Sequence, residues 1–189
     1  MYQPAVPLIQ VSPTFRTQRL AEVELGRLIQ LHPTSGGAGA GLAVRADALS
    51  AQGDLSEGLV RLSGGPVRFE RRRLDEQVTA LLIDYVLETD LLTPALRSPE
   101  PGDLLVLSGR PAAGLYLGNV WPGTAALMDM ASAVLRPFAA ARSVLQLAYG
   151  WRLVDRDHRE RVLLEHAAAE PEPEEAPETP LRRREEDCD

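Results

Sequence analysis

Arg68, Arg71, Arg72 and Arg73, with Arg61 just upstream, make the densest positive cluster before the C-terminal segment. Guanidinium forks held along a strand can grip phosphate or carboxylate through paired N–H donors. Phe69 lies among them, and an aromatic face there could stack on a nucleic-acid base. The tentative anion- or nucleic-acid-binding set is therefore Arg61, Arg68, Phe69, Arg71, Arg72 and Arg73. Against it stand Asp75 and Glu76, which follow at once and can neutralise the arginines internally. A solvated, partly salt-bridged face is the simpler reading of such a charge run.

The other chemistry-bearing residues are sparse. There are three histidines, His32, His158 and His166. His32 is expected to cap a helix end. His158 and His166 are too far apart on one regular element to converge on a metal ion, whose ligands must lie ~2 Å from it. Asp157 beside His158 suggests an acid–base pair, although an exposed turn accounts for both. Asp129 is the lone acid between Ala125 and Leu135 and, if buried, needs a cationic partner such as Arg136. Asp84, Asp129 and His158 are the residues on which a small hydrolase would have to be built.

The glycine run Ser35-Gly36-Gly37-Ala38-Gly39-Ala40-Gly41 has the composition of a dinucleotide loop. That chemistry needs a strand before the glycines and a helix after them, so that helix N–H groups meet the pyrophosphate. Here a helix is expected before and a strand after, so a linker or hairpin loop is the better reading. Cys188, the single cysteine, permits no disulfide within the chain and no thiolate metal cluster. All 20 basic residues are arginine. With no lysine there is no Schiff-base chemistry and no lysine of a phosphate-binding P-loop. No catalytic residue, metal site or cofactor is assigned.

The elements expected to position these residues make an α+β fold. Strand-like segments are Leu42–Ala46, Leu59–Ser63 and Val67–Arg71, with Gly64-Gly65 turning the last two, then a Leu104–Leu107 and Gly114–Val120 hairpin. Trp151–Val154 and Arg161–Glu165 read as a closing hairpin, with a helix as the rival. Tyr2–Val11 is at best an edge strand. Helices are expected from Ser12-Pro13 to Leu31, from Leu74 to Leu92, and across the alanine-rich Gly123–Tyr149, split at Pro137. That makes three to four helices packed on antiparallel strands. Residues 59–84 and 104–129 agree at nine of 26 aligned positions, which raises two strand-turn-strand-helix half-repeats.

An apolar stretch like Gly123–Tyr149 is either central to the core or covered by a second subunit. The tentative interface residues are Met128, Ala131, Leu135 and Phe138. Residues 1–166 are expected to form one globular domain, with a subdomain seam at 93–102. Residues 167–189 carry nine acids and three arginines and read as a disordered acidic tail. The net charge is −7, and most of it lies in that segment, so the remainder is close to neutral. No long apolar run or leader is evident, so a cytoplasmic protein without membrane association is expected. The functional expectation is a non-enzymatic, self-associating interaction or regulatory domain. An arginine-dependent anion or nucleic-acid binder is the alternative, and a carboxylate- and histidine-dependent hydrolase is the second.

Overall fold

Strand β3, Gly41–Leu49, shows how this chain folds. Val44, Ala46 and Ala48 point into the largest apolar cluster, while Ala43 points into a second cluster on the other face. Both faces of the strand are covered, so its sequence shows a nearly continuous apolar run instead of a clean alternation. The same holds for much of the molecule. The computed structural model describes residues 15–32, 40–89, 98–107, 113–138 and 146–167, and of residues 146–148 the backbone alone.

The described residues form fourteen strands and one three-residue 3-10 turn, Leu20–Glu22. Before β3 come β1 (Phe15–Arg19) and β2 (Leu28–Leu31). After it come β4 (Leu55–Arg61), β5 (Arg68–Arg71), β6 (Gln77–Leu81) and β7 (Tyr85–Glu88). The second half holds β8 (Leu104–Leu107), β9 (Ala113–Trp121), β10 (Thr124–Asp129), β11 (Val134–Pro137), β12 (Gln146–Tyr149), β13 (Trp151–Asp155) and β14 (Val162–His166).

One eleven-stranded sheet runs β1-β6-β2-β3-β11-β10-β9-β8-β12, with β4 on the other edge of β3 and β5 beyond β4. The branching is possible because β3 is long. Its first half pairs with β2 and its second half with β11, the latter in parallel. A three-stranded sheet, β14-β13-β7, sends Trp151 and Leu153 into the largest cluster. That cluster draws on residues from Leu28 to Leu153, and the second gathers Leu20, Ile29, Leu59 and Val78 among others.

The α+β expectation is overturned: 59% of the described residues are in strands and 2% in the 3-10 turn, with no α-helix. Each expected helix fails for a local reason. In the first, Gly26 takes φ +82, which no α-helix contains, and Phe15–Arg19 forms an edge strand on β6. In the second, Val78 and Ala80 face one cluster and Leu81 the other, the two-residue period of a strand. In the third, Ala126 and Met128 face the largest cluster while Leu127 faces a third one. Alanine, leucine and methionine there satisfy helix propensity, and burial on both faces outweighs it. The half-repeat unit fails likewise. Its final piece is a strand in both copies, and β10 folds back on β9 whereas β6 pairs with β1 and β2.

The expected hairpins are present: β4 with β5, β8 with β9, and β13 with β14. The glycine-rich run joins β2 to β3, an antiparallel pair, so a strand precedes it where a helix was expected. Residues 33–39, which include Ser35 to Gly39 of that run, lie outside the described residues. So do Tyr2–Val11, the Ser12-Pro13 cap, residues 93–97 of the seam, and 168–189.

Candidate functional site

The register of β4 on β5 decides what the arginines do. Arg61 stands opposite Arg68, Val60 opposite Phe69 and Leu59 opposite Glu70. Opposed residues share a face and alternate residues share a face. Arg61, Arg68 and Glu70 therefore lie together, while Phe69 turns the other way and packs on the largest apolar cluster. Phe69 is thereby removed from any base-stacking role.

Glu70 is the hub. Arg61, only 3% exposed, donates from Nε to Glu70 Oε1 at 2.7 Å. Arg68 donates from Nε and Nη2 to the same oxygen at 3.1 and 3.0 Å, and Arg72 donates from Nη2 to Oε2 at 2.7 Å. Burial works against ionising this carboxyl, but the hydrogen bonds from Arg61, then Arg72 and Arg68, outweigh it and bring its pKa down to about 2. Arg72 also pairs with Glu76, at 3.1 Å, and Arg73 with Asp75, at 2.8 Å. Arg71 is exposed and has no ion-pair partner among the described residues. Four of the five arginines thus meet three carboxylates. Arg68 is 55% exposed and Arg73 85%.

The structure thus brings Arg61, Arg68 and Arg72 onto one carboxylate, leaves Arg73 outside that contact and turns Arg71 to the Phe69 face. β5 ends its branch of the sheet, pairing with β4 alone among the described residues, so the face lies at a sheet margin.

The tentative interface residues are not on one helical face. Met128 and Leu135 pair across β10 and β11 and are buried in the largest cluster. Ala131 is exposed in the turn between those strands, and Phe138 meets Tyr116 edge-on at 6.0 Å beside the third cluster.

The acids and histidines are dispersed. Asp129 organises the β10–β11 turn: Oδ1 accepts from the Ala131 N–H and Oδ2 from the Ser132 hydroxyl, both at 2.9 Å. Asp84 pairs with Arg27 at 3.2 Å beside a shallow cleft that also involves Glu24, Tyr85 and Arg156. His158 is exposed, 4.0 Å from Glu160, and its N–H is capped by Asp155, not Asp157. His32 Nε2 bonds the Thr79 hydroxyl at 2.9 Å, just past β2.

One constellation escaped the sequence reading. Asp103 is fully buried, with Oδ1 3.5 Å from His166 Nε2 and Oδ2 accepting from the Glu100 N–H at 2.7 Å. The His166 ring stacks on Trp151, 5.5 Å between centroids, and Trp151 Nε1 donates to the Gly102 carbonyl at 2.6 Å. Residues 63 positions apart carry no local signal of meeting. The group anchors the end of β14.

Among the described residues no group of three or more His, Cys, Asp or Glu could hold a metal ion, and no helix is long and apolar enough to cross a membrane. No protein-family model matches the chain, and neither a curated protein nor a solved structure matches it.

Proposed function

We propose that this chain is a non-enzymatic interaction domain that binds an acidic segment of a partner protein on the arginine face of β5. What carries the reading is the Glu70 hub: it holds Arg61, Arg68 and Arg72 together, while Arg68 stays 55% exposed and Arg73 stands exposed just beyond the strand. Pre-ordered guanidinium groups lose less freedom on binding a carboxylate than free side chains do. An acidic peptide suits this face better than nucleic acid, because Phe69 is turned into the core and leaves no aromatic platform among the arginines.

Fluorescein-labelled poly-L-glutamate is the probe, with a single-stranded oligonucleotide in parallel. The reading expects salt-sensitive binding of polyglutamate that weakens at least fivefold in the Arg68→Ala/Arg73→Ala variant. Preferential binding of the oligonucleotide would move the assignment to nucleic acid.

Self-association is a second reading, on a different surface. β1 pairs only with β6 among the described residues, and Phe15 at its start and Leu82 just past the end of β6 are 58% and 52% exposed. An exposed edge strand with apolar side chains can pair with the same strand of a second copy. Light scattering of the full chain and of Phe15→Arg separates a dimer lost in the variant from a monomer in both.

A further inference from the structure

The backbone of β1 has two unlike sides. The Leu20 N–H donates to the Glu76 carbonyl at 2.9 Å, which continues the β1–β6 register one step beyond Arg19 opposite Gln77. In an antiparallel pair, residues that exchange hydrogen bonds alternate with residues that do not. Gln18 and Arg16 therefore bond to Val78 and Ala80 of β6, while Phe15, Thr17 and Arg19 turn their N–H and C=O groups the other way. No strand among the described residues covers that side. Every residue of β1 is exposed except Gln18, which is half-buried.

A second copy of β1 matches this edge best in one register. Outward-turned residues must meet outward-turned residues, so two identical antiparallel strands place their two-fold axis on a residue position, not between two. An axis at Thr17 pairs all five residues: Thr17 with Thr17, Phe15 with Arg19, and Arg16 with Gln18. An axis at Arg16 sets two arginines directly opposite, where like charges are destabilising. An axis at Gln18 sets Arg16 against Leu20, which has already left the strand. Axes at the strand ends pair fewer residues still.

In the Thr17 register the Phe15 ring of one copy and the Arg19 guanidinium of the other are cross-strand neighbours, which favours a cation–π contact. The Arg19 N–H already meets Glu22 Oε2 at 3.4 Å. Each Phe15–Arg19 pair therefore adds one hydrogen bond, from the Phe15 N–H to the Arg19 carbonyl, beside those that Thr17 exchanges with its own copy.

We infer that two copies of this chain join through β1, antiparallel about a two-fold axis at Thr17, so that one sheet runs across the pair. The inference rests on the reading of this edge as a self-association surface, and it fixes the register.

The test places single cysteines in the full chain, in a Cys188→Ser background: Thr17→Cys, Arg16→Cys and Gln18→Cys. In the inferred register Thr17 faces its own copy with Cα atoms about 5.5 Å apart, within disulfide reach. Arg16 and Gln18 each lie diagonal to their own copies, at roughly 7–8 Å, at or beyond that reach. Under mild oxidation the Thr17→Cys chain should form a disulfide-linked dimer at least fivefold faster than the other two. Faster linking at Arg16→Cys or Gln18→Cys, or equal rates at all three, overturns the register. The self-association reading then survives if light scattering finds the native chain dimeric and Phe15→Arg monomeric. A native chain that is monomeric at every concentration tested overturns both.

Discussion

Arg61 and Glu70 meet across the β4–β5 pair at 2.7 Å, and the arginine is all but sealed from solvent. A guanidinium so placed has lost its water and depends on the carboxylate for compensation. Removing one partner of such a pair is costly because the other stays behind as an uncompensated buried charge.

Glu70→Gln should therefore destabilise the domain by about 2–4 kcal/mol, well above the cost of an exposed substitution. Urea unfolding measures it. A loss below about 0.5 kcal/mol would mean that the hub is a surface ion pair of little consequence.

The same residue sets an acid limit. The folded-state pKa of Glu70 is about 2, below its ordinary value of 4.5, so its contribution is fully present above pH 4.5. It is lost as pH falls from there toward 2, and the contribution is on the order of 3 kcal/mol. Urea midpoints between pH 6 and pH 2.5 should fall more steeply in the native chain than in Glu70→Gln. Parallel slopes would contradict the hub.

Gly102 sits at φ +108 with the His166 ring against it. Gly102→Ala should cost about 1–3 kcal/mol, through backbone strain and displacement of the ring. It should also expose Trp151, which a red-shifted emission in a Trp121→Phe background would report. Unchanged emission and stability would show that the stack is not a close-fitted anchor.

Asp129→Ala tests the turn role against the catalytic one. Losing its two hydrogen bonds to the β10–β11 turn should cost about 1–2 kcal/mol. Polyglutamate binding should be unaffected in the folded variant.

How much of this the sequence reveals follows from which faces are covered. Gly64-Gly65 between Leu59–Ser63 and Val67–Arg71 marks the β4–β5 hairpin plainly, since turn glycines flank short β-rich runs. Thr124–Pro137 misleads because neighbouring residues 126, 127 and 128 are all buried, on alternate sides of the sheet, which erases the two-residue period and leaves only helix propensity to read. Gly26 was a helix-breaking signal inside the first expected helix. At the site, the arginines were legible and their organiser was not. Glu70 lies two residues from Arg68, and only strand geometry with the Arg61–Arg68 register makes it their shared partner. Phe69 was legible as an aromatic but not as a core residue, because its orientation depends on the same register.

The central claim is that the β5 face takes carboxylates, and one titration tests it most directly. Labelled poly-L-glutamate is added to the full chain at 20 to about 300 mM salt, alongside Arg68→Ala/Arg73→Ala. Binding should weaken steadily with salt in the native chain and be at least fivefold weaker at low salt in the double variant. Equal affinity in the two chains, or no binding at the lowest salt, would contradict it.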